Sequence, residues 1–194
     1  MTKIILHHSL PDGLEADAAA LYWEAFGGKL GKLLGPADRG RKFFTATVNH
    51  SAVIAATDSE GKLLGIAAHQ ASGDGFSNAG VSALFRHYRI GAIWRLVPLA
   101  LLERKAPEDT LQMDGICVAD DARGQGVGTT LFNELFDYAR AKGFTKITLD
   151  VIDTNPRARA LYERLGFTAI GEEQTGPMAS LLGFASATKM VLTL

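Results

Sequence analysis

The stretch DARGQGVG, residues 121–128, has glycine at every second position from Gly124 to Gly128. It follows LQMDGICV, an apolar run typical of a β-strand, and precedes TTLFNELFDYARAKG, whose apolar residues recur at helical spacing. A strand, a glycine-rich turn and a helix N-terminus together form an anion site, because the first N–H groups of a helix lack partners within it. We therefore expect a phosphate-bearing ligand at this turn.

Two common phosphate-binding motifs do not match this turn. A Walker loop needs lysine after its last glycine, whereas Thr129 and Thr130 follow Gly128. The dinucleotide motif G-x-G-x-x-G also fails, because counting from Gly124 puts Thr129 where the third glycine belongs. These mismatches argue against nucleotide hydrolysis and against Rossmann-type binding.

The hydrophobic periodicity predicts strands that alternate with helices, which is typical of an α/β sheet. We predict strands over residues 3–8, 51–58, 62–70, 111–118, 144–151, 167–172 and 188–194. Helices are predicted over 14–26, with Asp12 as cap, from the glycine turn to Gly143, and over 156–165. Four glycines, at positions 27, 28, 31 and 35, predict that the first helix ends near Phe26.

Composition and charge exclude several classes of protein. The chain has 194 residues, enough for one domain, and 20 basic against 21 acidic residues remove the simplest electrostatic argument for a nucleic-acid or membrane partner. The single cysteine, Cys117, excludes an internal disulfide, and MTKIILHHSL does not resemble a signal peptide. The most apolar segment, residues 90–102, is shorter than the roughly 20 residues that span a bilayer. We expect a soluble, cytoplasmic protein.

Two blocks of the sequence carry a family resemblance. Arg123 to Gly128 match the pattern Q/R-x-x-G-x-G/A, and NPRARALYERLGF, residues 155–167, matches a second block at the expected distance. The chain thereby resembles the GNAT superfamily of N-acetyltransferases over about 60 residues. The resemblance implies a single domain, residues 1–194, with a mixed, mostly antiparallel sheet that is flanked by helices and splayed between its fourth and fifth strands. A helical insertion at about residues 79–107 would lie between the third and fourth strands.

The same resemblance implies that acetyl-CoA binds in the splayed gap. No metal is predicted, because the histidines lack metal-ligand spacing. Backbone amides of the glycine turn would hold the pyrophosphate, the fourth strand would hydrogen-bond the pantetheine arm, and Arg123 would add charge near the phosphates. Asn155 has two candidate roles, as helix cap and as a ligand contact. The cofactor-binding candidates are Ile116, Cys117, Val118, Arg123, Gly124, Gln125, Gly126, Val127, Gly128, Thr129 and Asn155.

Acetyl transfer to an amine sets two proton-transfer problems. A lysine-like ammonium is only roughly 0.04% neutral at pH 7, so a base or a water relay must remove its proton. Asp114 is the candidate base, since strand alternation would put it on the same face as Ile116 and Val118. Tyr162, which matches the tyrosine of the second family block, is the candidate donor to the leaving thiolate.

Two other chemistries are disfavoured. Cys117 lies within a strand with no histidine nearby in sequence, which argues against a covalent acyl-cysteine. The five histidines lack metal-ligand spacing with carboxylates or a second cysteine. These are His7, His8, His50, His69 and His87.

The acceptor is not defined by the sequence. The predicted function is transfer of an acetyl group to a primary amine, either a small molecule or a protein N-terminus or lysine, within a ternary complex. The alternative is a non-catalytic acetyl-CoA-binding module. The segment 81–105, rich in aromatic residues and arginines, has three readings: a packed insertion, a wall of the acceptor site, or the face of a homodimer.

Overall fold

The computed structural model describes residues 3–71, 75–96, 107–176 and 179–194. Its strands are β1 (Ile5–His7), β2 (Val53–Thr57), β3 (Leu63–Gln70), β4 (Thr110–Val118), β5 (Lys146–Ile152), β6 (Thr168–Gln174) and β7 (Ser186–Thr193). The helices are α1 (Glu15–Leu34), α2 (Ala37–Thr47), α3 (Val81–Tyr88), α4 (Val127–Ala141), α5 (Pro156–Arg164) and α6 (Ala179–Leu182). All seven predicted strands and the helices around the sheet are thus present.

The strands form one mixed sheet in the order β1-β2-β3-β4-β5-β7-β6. Neighbouring strands are antiparallel except β4 and β5, which are parallel. The predicted fold class, an α/β protein with a mostly antiparallel mixed sheet, is therefore confirmed.

The sheet opens between its two parallel strands, as expected. Pairing joins Thr110–Gln112 of β4 to Lys146–Thr148 of β5 and then stops, although β4 continues to Val118 and β5 to Ile152. Both strands are fully described, so the remaining edges face each other across a gap without strand pairing. Polar backbone groups along this gap are available to a ligand.

Apolar residues bury both faces of the sheet. On one face, α1, α2 and α3 cover a cluster that includes Phe43, Ile66 and Cys117. On the other face, α4 and α5 cover a second cluster that includes Leu131 and Leu149. The predicted apolar stripe of α4 accounts for this second cluster, since its residues Val127, Leu131, Phe132, Leu135 and Ala139 are buried.

The first helix is longer than predicted. It continues through Gly27, Gly28 and Gly31 and ends only before Gly35. Each glycine costs a helix about 1 kcal/mol, but burying a leucine contributes about 1.5–3 kcal/mol, and Leu33 and Leu34 lie in the core. Packing of the last turn therefore outweighs the weak local propensity.

Three further differences are local. The predicted cap Asp12 does not cap α1, where Glu15 instead accepts a hydrogen bond from the Gly13 N–H (3.2 Å). Neither α2 nor the single turn α6 was expected from the sequence. In contrast, Asn155 caps α5, with its Oδ1 accepting from the Ala158 N–H at 3.2 Å, and Gly143 and Gly166 follow the ends of α4 and α5 with positive φ.

The insertion between β3 and β4 packs on the ends of α1 and α2. The Tyr88 hydroxyl donates to the Leu34 carbonyl at 2.5 Å, and buried Arg95 donates from Nε to the Leu33 carbonyl at 2.5 Å. The Arg95 guanidinium also lies 4.4 Å from the Tyr88 ring centroid. These contacts favour the packed reading of the part that is described, while residues 97–106 of the predicted insertion lie outside it. Within the described ranges, no helix has the length and apolar character needed to cross a bilayer.

Candidate active site

A cleft of about 1010 Å³ occupies the gap between β4 and β5. Its walls come from both strands, from the turn before α4, and from parts of α1, α5 and α6. Most of the predicted site residues lie along it: Asp114, Ile116, Cys117, Val118, Arg123, Gly124, Gly126, Val127, Gly128, Thr129, Asn155 and Tyr162. Gln125 lies beside the cleft, where its side-chain amide donates to the Asp121 carbonyl at 2.7 Å.

The glycine turn exposes the N-terminus of α4 to this cleft. Gly124 and Gly126 have φ of +76° and +84°, a left-handed conformation that side chains rarely adopt. Gly126 is the N-cap and contributes no side chain, so no side-chain cap bonds the first N–H groups of the helix. These N–H groups, from Val127 to Thr129, together with the helix dipole favour an anion. The predicted pyrophosphate site therefore has suitable donors.

Arg123 is held at the edge of the turn by carboxylates. Its guanidinium lies 2.5 Å from an oxygen of Asp120 and 3.5 Å from Glu24 of α1. Its Nε also donates to the Val118 carbonyl (3.3 Å). The side chain is largely exposed, so these ion pairs are weak and leave the guanidinium able to reach an anion in the cleft.

A β-bulge changes the predicted orientation of Asp114. The pairing of β3 with β4 shifts register between Ala68 and His69, so Asp114 is the extra residue on β4. Its Oδ2 accepts from the Phe76 N–H at 2.8 Å, on the α1 face of the sheet, whereas Ile116 and Val118 pack against the α4 face. The expectation that Asp114 shares a face with Ile116 and Val118 was wrong, because the bulge interrupts the alternation.

Asp114 lies in an aromatic environment that the sequence did not indicate. Tyr22 of α1 stacks on Phe76 with ring centroids 3.9 Å apart. Burial raises the pKa of Tyr22 well above its ordinary value, and the charges of Asp114 and Cys117 raise it further. Tyr22 therefore remains a neutral phenol beside the carboxylate. Since α1 and β4 are far apart in sequence, only the folded chain brings these groups together.

Tyr162 extends from α5 toward the cleft. Its ring packs edge-on against Phe132 and tilted against Phe167, with centroid distances of 6.1 and 5.9 Å. Burial raises the pKa of Tyr162 to about 12, and the charge of the Cys117 thiolate form adds to this effect. The hydroxyl is consequently protonated at neutral pH and remains a hydrogen-bond donor.

Cys117 has the properties of a core residue. Its side chain is buried on the α1 face, and burial raises the pKa of the thiol to about 12, with a smaller contribution from Glu24. A thiol in this state is protonated near pH 7 and is a poor nucleophile. The geometry thus agrees with the sequence-based argument against an acyl-cysteine.

Folding also creates groups that linear spacing could not predict. Glu24, Phe26 and Asp150 line the cleft, and each depends on packing between distant segments.

A second cluster of polar residues lies elsewhere, where atoms of Asp12, Glu15 and His50 that could ligate a metal lie within 4.8 Å of one another. His50 Nδ1 there donates to the Leu10 carbonyl at 2.8 Å. These residues connect the start of α1 to the turn before β2, and we assign no metal to them.

Taken together, the fold and the site define an α/β protein whose sheet opens beside a helix N-terminus that has no side-chain cap. The chain belongs to the Acetyltransferase (GNAT) family, whose model matches residues 17–167. Members of this family are acyltransferases that use acetyl-CoA, and the family implies acetyl transfer to an amine. The resemblance inferred from the two sequence blocks is confirmed.

Curated relatives match a shorter part of the chain. It is 35% identical to a mycothiol acetyltransferase of Corynebacterium jeikeium over 81 residues, which are 42% of this chain and 24% of the relative. It is 40% identical to the 5-NmdU N-acetyltransferase of Pseudomonas phage PaMx11 over 72 residues, 37% of this chain and 48% of the relative. The matches thus span a quarter to about half of these relatives.

Solved structures resemble the chain over nearly its whole length. A GCN5-related N-acetyltransferase from Kribbella flavida aligns with a TM-score of 0.62 at 19% identity, covering 98% of each chain. An N-acetyltransferase from Staphylococcus aureus Mu50 aligns with a TM-score of 0.65 at 16% identity, covering 97% of this chain and 100% of the other. At such low identity these likenesses establish the fold alone.

Proposed function

We propose that this protein is an acetyl-CoA-dependent N-acetyltransferase that transfers the acetyl group directly to a primary amine in a ternary complex. The main support for the proposal is the N-terminus of α4, which has no side-chain cap and faces the gap between β4 and β5. The chain also belongs to the GNAT family. When bound, acetyl-CoA supplies an activated thioester. A cytoplasmic location and a homodimeric state remain predictions.

The glycine turn and the open edge of β4 would bind the two ends of the cosubstrate. The N–H groups of Val127 to Thr129 are suited to the pyrophosphate, and Arg123 adds a positive charge beside them. Residues Ile116 to Val118 lie beyond the paired part of β4 and offer backbone groups to the amide-rich pantetheine arm. Asn155 is engaged as the cap of α5, so its contribution to the ligand is positional.

We assign removal of the proton from the acceptor amine to Asp114, or to a water molecule that Asp114 binds. An acceptor amine must lose a proton before it attacks, and a carboxylate that lines the cleft on the α1 face of β4 is suited to accept it. The Phe76 N–H and the packed rings of Tyr22 and Phe76 fix the orientation of this carboxylate.

Proton supply to the leaving sulfur is assigned to the Tyr162 hydroxyl. Its raised pKa keeps the proton on the phenol at working pH, and its position on the cleft wall supports contact with the thioester end of the ligand. The protonated state of Cys117 supports direct transfer rather than transfer through an acylated cysteine.

A panel of primary amines, peptides with free N-termini, and lysine peptides would test this function. Acetyl transfer is followed as free coenzyme A thiol released from acetyl-CoA, with product identified by mass. Tyr162→Phe is expected to lower kcat by about 100-fold or more while acetyl-CoA affinity is retained. Tyr138→Phe, which removes a hydroxyl from α4 outside the cleft lining, is the matched control.

The outcomes separate catalysis from binding alone. Turnover with at least one amine class and a selective loss in Tyr162→Phe would support the proposal. Tight binding of acetyl-CoA without acetylation of any acceptor would instead favour a non-catalytic binding module. Full turnover by Tyr162→Phe would remove the assignment of this hydroxyl as proton donor.

A further inference from the structure

Two carboxylates flank the gap between β4 and β5. Asp114 belongs to β4 and Asp150 to β5, and both line the cleft. Since Leu149 and Val151 are buried in the cluster beneath α4, strand alternation puts Asp150 on the opposite face, which is the α1 face. The bulge puts Asp114 on that same face. The two acidic side chains therefore lie on the α1 face of the sheet, one at each edge of the opening.

A buried amide orients Asp150. The Thr148 hydroxyl donates to Gln112 Oε1 at 3.0 Å, and both side chains are buried. This bond leaves the Nε2 amide of Gln112 to donate to Asp150 Oδ2, at 3.4 Å. Thr148 and Gln112 are the last paired residues before the strands separate, so the network positions Asp150 at the start of the gap.

The charge of the cleft is predominantly negative. Glu24, Asp114 and Asp150 contribute carboxylates, and among the described lining residues the positive charge comes from Arg123, which pairs with Glu24 and Asp120. Lys189 is the cross-strand neighbour of Asp150 on β7, but no ion pair joins these two described residues. No ion pair among the described residues therefore engages the Asp150 carboxylate, and a cationic ligand could pair with it.

We infer that the acceptor carries a second cationic group, and that Asp150 binds this group while Asp114 serves the amine that is acetylated. The inference rests on the proposed function and specifies its substrate class as a diamine or a similar dication. A hydrogen-bonded carboxylate–ammonium pair in a cleft is stronger than a neutral contact, so it distinguishes a dication from a monoamine of the same length.

The test compares linear diamines with linear monoamines of matching length as acceptors. The wild-type protein should prefer diamines by about tenfold in kcat/KM, which is the size of effect expected for one charged hydrogen bond. Asp150→Asn should remove most of this preference through the diamine KM, whereas Asp150→Glu, which keeps the charge, should retain it. The preference of the wild type should also fall as salt is raised, because salt screens the partly exposed pair.

Asp137→Asn is the matched control, because it removes one exposed carboxylate from α4, away from the cleft lining. Melting temperatures establish that each variant is folded. Equal kcat/KM for diamines and monoamines in the wild type would overturn the inference while leaving the proposed function in place. An equal loss for both acceptor types in Asp150→Asn, or the same loss in Asp150→Glu, would also overturn it. Failure of the wild type to acetylate any amine would overturn the proposed function and this inference with it.

Discussion

Acidification should destabilise this protein through one buried histidine, His69. The side chain lies on β3 and is only 1% exposed, and neither ring nitrogen has a hydrogen-bond partner among the described residues. Its ring packs against Tyr138 of α4, with centroids 4.8 Å apart. Burial lowers the pKa of His69 from an ordinary value of 6.5 to about 4.

The direction and size of the effect follow from proton linkage. In the unfolded chain His69 binds a proton near pH 6.5, whereas in the folded protein it does so only near pH 4. Between these values the unfolded state binds more protons, so the free energy of unfolding falls as the pH is lowered. This difference in pKa between the unfolded and folded states corresponds to about 3 kcal/mol of unfolding free energy. About 2 to 3 kcal/mol of it is lost when the pH falls from 7.5 to 4.5.

The assay is urea unfolding, followed by tryptophan fluorescence, of the wild type and His69→Phe at several pH values from 7.5 to about 4.5. Other groups titrate alike in both proteins, so the difference between their free energies of unfolding isolates His69. We expect His69→Phe to gain about 2 to 3 kcal/mol relative to wild type as the pH falls through this range. The same change at partly exposed His87 controls for loss of a histidine elsewhere. If the difference between the two free energies of unfolding is independent of pH, burial of His69 does not make the folded state sensitive to acid.

Four other substitutions test separate parts of the site. Gly126→Glu should abolish acetyl-CoA binding in a calorimetric titration, because it adds a negative charge and a side chain at a φ of +84°; retained affinity would mean that the anion binds elsewhere. Asp114→Asn should lower kcat/KM because it removes the candidate base, and an unchanged kcat/KM would assign the base role to another group. Asn155→Ala should lower the free energy of unfolding by about 1 kcal/mol in a urea titration, since it removes the cap of α5; no loss would show that the cap bond is unimportant. Cys117→Ala should retain acetyl transfer in steady-state assays, and loss of turnover with an intact fold would revive an acyl-cysteine.

Local sequence signals predicted the local structure around the glycine turn well. The glycine turn, the apolar stripe of α4 and the cap at Asn155 depend on residues within one or two turns of each other, so their spacing carries the information. The family blocks then located the opening of the sheet between β4 and β5. The structure brings these predicted residues to one cleft, while their individual roles stay predictions.

The side of the cleft next to α1 could not be predicted in the same way. The orientation of Asp114 depends on a bulge, which is set by the pairing of β4 with β3 rather than by the alternation of β4 itself. The length of α1 depends on burial of Leu33 and Leu34, which outweighs the preceding glycines. In the sequence, Asp150 is an ordinary polar position of a strand, whereas in the structure Gln112 donates a hydrogen bond to it at the start of the gap. Each of these features is determined by contacts between distant segments.

Calorimetric titration of the protein with acetyl-CoA, beside ATP and NAD, tests whether the gap between β4 and β5 is an acetyl-CoA site. We expect saturable binding of acetyl-CoA alone, together with a thermal stabilisation of roughly 2.7 kcal/mol at about a hundred times the dissociation constant. ATP and NAD should not stabilise the fold, because the glycine turn lacks the features of their sites. No binding of acetyl-CoA, or equal binding of all three ligands, would contradict the assignment of the gap between β4 and β5 as an acetyl-CoA site.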